Sequence, residues 1–158
     1  MSTTDDPAAT ARRLLDSIMY MTLATADEAG RPWASPVWYA AASPTELIWV
    51  SDPSGRHSRN LAARPEIGIV IFDSTVPIGG AEAVYIDAVA APVEDADLEP
   101  AIDSYSRRSK EVGGVGWTSA DVRAPARLRL YRARVTAMSV LDEGDRRIPV
   151  ELDTKERR

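Results

Sequence analysis

The sequence predicts a mainly β protein, a β-barrel or rolled sheet of six strands with an N-terminal helix and two connecting helices. Short apolar runs recur along the chain, and they either alternate with polar residues or are rich in Val and Ile. Turn-forming Gly, Pro, Asp and Ser residues separate these runs. Three segments carry the spacing of an α-helix, so helices are expected in the connections and at one end.

Prolines mark boundaries of the predicted helices, which cover residues 8–17, 56–64 and 97–111. Asp6 followed by Pro7 is typical of a helix start, because aspartate can cap a helix and proline fits its first turn. Pro65 ends the second helix, because a proline disfavours the helical conformation in the residue before it.

The strands are predicted at residues 20–26, 33–41, 47–51, 66–74, 81–95 and 127–141. Short turns join the first three, which are therefore expected to form a three-stranded meander. The fourth is expected to be buried, because Ile and Val dominate it. The last strand alternates apolar residues with Arg127, Arg129, Arg132 and Arg134, which predicts that one of its faces is basic.

The composition excludes several classes of function. The 158 residues include 19 Lys and Arg against 24 Asp and Glu, and the net charge of −5 predicts neither a nucleic-acid partner nor attachment to a membrane. The chain has no cysteine, which excludes disulfides and thiolate metal sites, and its single histidine excludes a multi-histidine metal centre. With an acidic start and no apolar run of about 20 residues, the chain is expected to be one cytoplasmic domain.

The segment "WVSDPSGRHSRNL" gathers hydroxyls and cations in front of the second predicted helix. A helix start directs unpaired backbone N–H groups outward and binds anions. Arg56 adds a permanently charged fork, His57 a second donor, and Ser51 and Ser54 add hydroxyl donors. Together these groups suit a phosphate monoester. The alternative is structural: Asp52 or Ser54 caps the helix, and the arginines form a solvated face.

Four tryptophans, at positions 33, 38, 49 and 117, are expected to serve core and dimer packing rather than to line an aromatic ligand. The stretch "GGVG" at 113–116 is predicted to be a turn, because it lacks the strand that precedes a dinucleotide-binding motif. No nucleophile elbow or phosphate-binding loop is recognisable, so catalytic residues are not assigned.

Three segments carry a resemblance to a known family: "YMTLATADEAGRPWASPVWYA", "ELIWVSDPSGRHSRNLAARPEIGIVIF" and "AEAVYIDAVAAPVED". In this order they resemble the pyridoxamine 5′-phosphate oxidase-like, FMN-binding split-barrel family, over roughly residues 12–140. In the most specific part, Ser51 stands at the family's hydroxyl position. Gly55-Arg56-His57 stands where Ser-Arg-Lys is common, and Arg64-Pro65 where Asn-Pro is common.

The resemblance implies a homodimer of split β-barrels with two FMN sites at the subunit interface. Arg56 and His57 would hold the FMN phosphate, and two strands would offer backbone groups to the isoalloxazine ring. The cofactor-binding residues implied are Ser35, Pro36, Val37, Trp49, Val50, Ser51, Arg56 and His57. The chain would then consist of a flexible N-terminus at 1–11, a split-barrel flavin-binding domain at 12–145 and a C-terminal tail at 146–158.

The chain departs from the family on the substrate side. Tyr105 is present, but the Arg-Pro-x-x-Ser segment that follows this tyrosine in true pyridoxamine-phosphate oxidases is missing. Ala83 stands where those enzymes have a glutamine near the flavin. Vitamin B6 synthesis is therefore not expected. His57 replaces the usual lysine, and an imidazole with a pKa of about 6.5 is only partly charged near neutral pH, so phosphate binding is expected to be weaker.

Three functions agree with these observations. The first is an FMN-dependent oxidoreductase with a small-molecule substrate, in which the protein supplies orientation and electrostatics. The second is a reductase that uses the 8-hydroxy-5-deazaflavin coenzyme, whose acidic tail would need the further cations Arg59, Arg107, Arg108 and Lys110. The third is a non-catalytic dimeric module whose groove is empty or binds a flavin, haem or another anionic ligand, and His57 is the evident haem ligand.

Overall fold

The structure is a computed structural model that describes residues 6–142 and 144–152. These residues form four helices and eight strands. In chain order they are α1 (Pro7–Ser17), β1 (Tyr20–Ala26), β2 (Pro32–Trp38), β3 (Ala40–Ser43), β4 (Glu46–Ser51), α2 (Arg56–Ala63), β5 (Glu66–Phe72), β6 (Ala83–Pro92), α3 (Asp95–Glu111), α4 (Ser119–Val122), β7 (Arg129–Leu141) and β8 (Arg147–Pro149). The mainly β fold class predicted from the sequence is confirmed. Residues 1–5 of the predicted flexible N-terminus and residues 153–158 of the predicted C-terminal tail lie outside the described residues.

One antiparallel sheet forms the body of the molecule. Its strand order is β2-β1-β5-β6-β7-β4-β3, and β8 pairs with the end of β7. β2 and β3 are consecutive in the chain, yet they lie at the two ends of this order. The short connection through Tyr39 can join them only if the sheet curls round. The sheet is therefore a barrel that is open between β2 and the β3–β4 hairpin, which is the split barrel that the family resemblance implies.

The prediction of a meander for the first three strands is wrong. Residues 33–41 do not form one strand, because β2 pairs with β1 whereas β3 pairs with β4. Tyr39 separates the two strands and is anchored on both sides. Its backbone N–H donates to the Met19 carbonyl, and its hydroxyl donates to the Leu15 carbonyl at 2.9 Å. This bend takes the chain from one edge of the open barrel to the other.

The prediction of a basic face on the last strand is also wrong. Leu130 and Tyr131 are successive residues of β7 and are both buried, because the sheet is covered on both faces at this point. Arg132 forms ion pairs with Glu46 and with Asp97, each at 2.9 Å. Its charge is therefore neutralised within the molecule rather than presented on a surface.

The helices agree closely with their predicted positions. The Asp6 carboxylate caps α1 by accepting a backbone N–H at 3.3 Å. α2 ends before Pro65, and α3 begins at Asp95, two residues earlier than predicted. The one-turn α4 has no counterpart in the prediction, although Thr118 and Asp121 form a capping box at its start. No helix within the two described ranges is long and apolar enough to cross a membrane.

Both segments that flank the predicted domain contribute secondary structure. β8 lies in the segment assigned to a C-terminal tail, where Val150 and Leu152 also pack on the core. α1 begins at Pro7, within the segment assigned to a flexible N-terminus. The domain boundaries themselves stay a prediction.

Two hydrophobic cores hold β4 from both sides. Leu47 and Trp49 belong to the core between the barrel interior and α1, whereas Ile48 belongs to a second core between the sheet and α3. All three side chains are fully buried. Burial of an apolar side chain of this size contributes about 1.5–3 kcal/mol relative to exposure. The end of β4, at Ser51, is therefore held firmly beside the start of α2.

Candidate functional site

No side chain among the described residues caps the start of α2. The loop before it is closed by a backbone bond from the Gly55 N–H to the Asp52 carbonyl at 3.0 Å. The Asp52 carboxylate accepts hydrogen bonds from the N–H and the hydroxyl of Ser54, at 2.9 and 2.8 Å, and not from the helix. Gly55 occupies the cap position and has no side chain to donate or accept. The cap by Asp52 or Ser54 that the structural alternative predicts is therefore wrong, whereas Arg56, Arg59 and Arg64 are exposed, as its solvated face requires.

Three backbone N–H groups at this helix start are left for a ligand. The N–H of Arg59 donates to the Gly55 carbonyl, whereas those of Arg56, His57 and Ser58 have no acceptor within the described residues. Ser58 is 3% exposed, and its hydroxyl also lacks a partner there. Unpaired donors at a helix start attract an anion, because the helix dipole adds positive potential.

Asp52 places a negative charge beside this helix start, and Arg127 balances it. The Arg127 guanidinium lies 2.6 Å from the Asp52 carboxylate. The backbone and side-chain hydrogen bonds from Ser54, and after them the bond from Arg127, lower the pKa of Asp52. The carboxylate is therefore ionised but paired at neutral pH, and it shapes the loop without using the helix N–H groups.

His57 lies in the gap of the split barrel and connects its two sides. Its Nδ1 lies 3.1 Å from Ser35 Oγ on β2, and its Nε2 lies 2.9 Å from Ser51 Oγ at the end of β4. β2 and β4 are not neighbours in the sheet, so the imidazole bridges strands that the backbone does not join. Burial lowers the pKa of His57, and the ring is therefore neutral near pH 7.

This bridge changes how His57 can act on a ligand. In a neutral imidazole one nitrogen donates and the other accepts, so each ring nitrogen is occupied by one serine hydroxyl. While both bonds are kept, the ring reaches a ligand only through Ser35 and Ser51. The sequence predicts a second, partly charged donor for the phosphate at this position, whereas in the structure the ring is neutral and bonds to two serines.

Arg56 lies over the face of Trp33. The guanidinium carbon is 4.2 Å from the centre of the Trp33 ring, which is 40% exposed. Arg56 forms no ion pair within the described residues, whereas Arg59 donates to the Ser54 carbonyl. Arg56 and Arg59 line an open depression of about 470 Å³ between α2 and the β1–β2 turn. The Arg56 cation is therefore oriented but not neutralised.

Two strand edges beside His57 are open. β2 pairs with β1 along one edge, and no described strand covers its other edge, which includes residues 35–37. β3 covers β4 only as far as Ile48, so residues 49–51 pair with a strand on one side only, with β7. Open edges offer backbone N–H and C=O groups for hydrogen bonds to a ligand.

Four of the eight predicted cofactor residues lie away from the start of α2 or inside a core. Val37 and Trp49 are buried in the first core, where Trp49 stacks on Tyr131 with ring centres 5.7 Å apart. Val50 packs against the second core, and Pro36 is exposed on β2. Their backbones, rather than their side chains, border the gap. The remaining four residues are the two serines, the arginine and the histidine described above.

Tyr105 belongs to the second core. Trp38 and Trp117 pack edge-on against its ring, with ring centres 4.9 and 5.6 Å away, and the side chain is 5% exposed. Burial raises the pKa of Tyr105 to about 12, although a hydrogen bond with the Val50 backbone lowers it in part. The core packing predicted for the tryptophans is found for Trp38, Trp49 and Trp117, whereas Trp33 is exposed.

Sequence reasoning missed three features of this site. The hydroxyl of Ser58 could have been found, because Ser58 is the third residue after the glycine at the helix start. The contacts of Trp33 with Arg56 and of Ser35 with His57 join residues more than 20 positions apart. They depend on closure of the barrel, so no local pattern indicates them.

The fold and the site together define a split-barrel protein with unpaired N–H groups at a helix start in its gap. The family model for pyridoxamine 5′-phosphate oxidase matches residues 8–142. The chain therefore belongs to the pyridoxamine 5′-phosphate oxidase family, as the sequence resemblance predicts. No curated protein matches the chain.

Three solved structures with the same fold differ in function. A haem-binding protein from Mycobacterium smegmatis is 22% identical, with a TM-score of 0.73, and the match covers 90% of this chain but 57% of that one. An FAD-binding protein from Mesorhizobium loti is 21% identical, with a TM-score of 0.64 and coverages of 84% and 92%. An F420 reductase is 21% identical, with a TM-score of 0.60 and coverages of 81% and 94%. At these identities the likeness shows the fold alone.

Proposed function

We propose that this chain binds FMN in the gap of the split barrel and acts as an FMN-dependent oxidoreductase on a small molecule. The observation that carries the proposal is the start of α2. There, three N–H groups have no acceptor within the described residues, and the adjacent Arg56 forms no ion pair. A terminal phosphate supplies the acceptors and the negative charge that suit this arrangement.

The residues that border the gap also fit the ring of a flavin. The open edges of β2 and β4 would meet the polar edge of the isoalloxazine through the backbone at residues 35–37 and 49–51, where a backbone hydrogen bond already joins Val50 to Tyr105. The bound cofactor would supply the redox chemistry, and the protein would orient it and exclude water. One helix start accommodates one terminal phosphate, so we expect FMN to bind more tightly than FAD.

The contacts of other cations give less support to the deazaflavin coenzyme. An acidic coenzyme tail would need free cations, but Arg108 donates to the Asp16 carbonyl and Arg107 to a serine one turn earlier in α3. Arg59 donates to the Ser54 carbonyl. These arginines are therefore engaged by their own surroundings, whereas Lys110 forms no ion pair within the described residues.

Haem fits the described residues less well than a flavin. His57 is the single histidine of the chain, and both of its ring nitrogens lie within hydrogen-bond distance of serine hydroxyls. A bond to haem iron would require one of these contacts to break. Binding of FMN at the start of α2 requires no such change.

Titration of FMN and riboflavin against the wild type and Arg56→Ala tests the proposal. Loss of a charge-assisted bond costs about 1.5–3 kcal/mol, so FMN should bind about tenfold to a hundredfold more weakly to the variant. Riboflavin has no phosphate and should bind both proteins alike. Arg107→Ala, on α3, is the matched control and should keep the wild-type FMN affinity. Equal losses for both flavins, or a wild type that does not bind FMN, would contradict the proposal.

Vitamin B6 synthesis is not part of this proposal. Tyr105, which would contact the substrate phosphate in a true pyridoxamine-phosphate oxidase, is enclosed in the second core. We therefore expect no turnover of pyridoxine phosphate by the FMN-loaded protein. The cytoplasmic location stays a prediction.

We also propose that the protein is a homodimer. Tyr20 and Phe72, on neighbouring strands of the sheet's outer face, are 58% and 47% exposed. With Met19 and Val70 they line a shallow depression of about 320 Å³. A second copy would cover this apolar surface, which is of the kind that marks interaction sites. Sedimentation velocity at micromolar concentration should give twice the chain mass of 17.2 kDa, and a monomer would contradict the proposal.

A further inference from the structure

We infer that His57 is a positioning residue whose protonation frees the hydroxyl hydrogens of both Ser35 and Ser51 for an anionic ligand. The inference rests on the proposed anion site at the start of α2 and extends it, since His57 would act on the ligand without touching it. The geometry on which it depends is the bridge from Ser35 Oγ through the imidazole to Ser51 Oγ, with contacts of 3.1 and 2.9 Å.

The number of hydrogens decides how these three groups share bonds. A neutral imidazole has one N–H, so one serine accepts from the ring and keeps its own hydrogen free, while the other must donate its hydrogen to the ring. A protonated imidazole has two N–H groups, so both serines accept and both hydroxyl hydrogens become free. Uptake of one proton therefore adds one hydroxyl donor and one positive charge to the site.

Both hydroxyls are placed where a ligand in the gap could use them. Ser35 lies on the open edge strand β2, and Ser51 ends β4 directly before the loop that leads to α2. Ser51 is buried and Ser35 is half-buried, so bulk water competes little for their hydrogens. Burial also lowers the pKa of His57, which keeps the ring neutral near pH 7 when no anion is bound.

The neighbouring charged residues do not set the protonation state of His57, so a bound anion can change it. The charged side chains around His57 lie on α2 itself, on the β1–β2 turn, on the loop before α2 and on β6, which packs against α2. They are Asp27, Glu28, Asp52, Arg56, Arg59 and Asp87. Asp52 is paired with Arg127, and the lowered pKa of His57 is caused by burial and by none of these groups. An anion at the start of α2 would favour the protonated ring, and by linkage the protonated ring would favour the anion.

An NMR titration of the imidazole tests the inference, because the single histidine gives one set of signals. We expect the pKa of His57 to rise by about one unit with saturating inorganic sulfate, which remains a dianion throughout; by linkage, sulfate binds about tenfold more tightly to the protonated form. Ser51→Ala should reduce this rise. The control Ser54→Ala, whose hydroxyl bonds to Asp52 rather than to His57, should keep it.

FMN affinity gives an independent readout. Glutamine can donate and accept but does not take up a proton, so the ratio of wild-type to His57→Gln affinity should rise about tenfold from about pH 7.5 to about pH 5.5. Titration of the phosphate of free FMN is common to both proteins and cancels in the ratio. A pKa of His57 that sulfate leaves unchanged would overturn the inference. A raised pKa without FMN binding would support it and contradict only the proposed function.

Discussion

The start of α2 and the cluster around Tyr105 are the two places where the sequence resembles the family's phosphate-binding segments, and their environments are opposite. At α2, Arg56 is exposed and the first N–H groups have no acceptor within the described residues. Around Tyr105, Trp38 and Trp117 enclose the ring, and the backbone N–H of Trp117 donates to the Ser106 hydroxyl at 2.8 Å. One region presents polar groups to a ligand, whereas the other is closed by its own contacts.

This difference shows that a residue shared with the family indicates the same role only where its surroundings leave it accessible to a ligand. Tyr105 has the identity of a substrate-binding residue, but the segment after α3 closes over the same helix. A Cβ atom at Gly114 would lie 2.6 Å from Ser109 Oγ, and one at Gly116 would lie 2.7 Å from the Lys110 side chain. At Gly114 the Ser109 backbone carbonyl also lies 3.0 Å away, so glycine is required there, whereas the flexible Lys110 side chain could move away from Gly116. This close approach brings Trp117 against the tyrosine.

The largest expected effect is that of Tyr105→Ala, and it should be confined to stability. Removal of a buried aromatic ring lowers the free energy of unfolding by about 3–5 kcal/mol, which urea unfolding measures. The folded variant should keep the wild-type ratio of FMN to riboflavin affinity within about twofold, because Tyr105 contacts the β4 backbone at Val50 and not the start of α2. Val115→Ala is the control, because Val115 lies in the adjacent segment and is 70% exposed. If Tyr105→Ala were stable but no longer bound FMN, the Tyr105 cluster would serve binding rather than packing, and the contrast with the start of α2 would be wrong.

A smaller effect is expected at high pH, where the Tyr105 cluster should weaken. Burial raises the pKa of Tyr105 from 10.0 to about 12, so the unfolded chain loses this proton first. The stabilising contribution is complete below about pH 10 and is lost as the pH rises towards 12, at about 1.4 kcal/mol per pH unit. Urea unfolding of Tyr105→Phe, which cannot ionise, should show a shallower decline. Tyr39, whose pKa burial also raises, remains in both proteins. Equal slopes would show that Tyr105 ionises as freely in the folded protein as in the unfolded chain.

The parts of the fold and of the site that could be predicted depend on short patterns of adjacent residues. The start of α2 after Gly55 and its end before Pro65 are each recognisable from a few adjacent residues. The rest depends on closure of the barrel. The bend at Tyr39 sends β2 and β3 to opposite ends of the sheet, and only the curled sheet returns Ser35 to His57. The partners of Arg132 likewise come from distant elements, so its neutralisation has no local signal.

The smallest effect is expected at Trp33, whose ring lies beneath the Arg56 guanidinium. An exposed cation–π contact is worth about 0.5–1 kcal/mol, so Trp33→Leu should weaken FMN binding about twofold to fivefold. Riboflavin affinity should not change, because the contact acts only through the arginine that meets the phosphate. Trp33→Phe keeps an aromatic face and should retain most of the FMN affinity.

A double-mutant cycle decides whether Trp33 acts through Arg56. In the Arg56→Ala background, Trp33→Leu should have no further effect on FMN binding, because no guanidinium remains to be oriented. If Trp33→Leu weakens FMN binding equally with and without Arg56, the indole contacts the cofactor itself. The binding surface would then extend from the start of α2 onto β2, and an aromatic ring would serve binding in one region of the molecule and packing in the other.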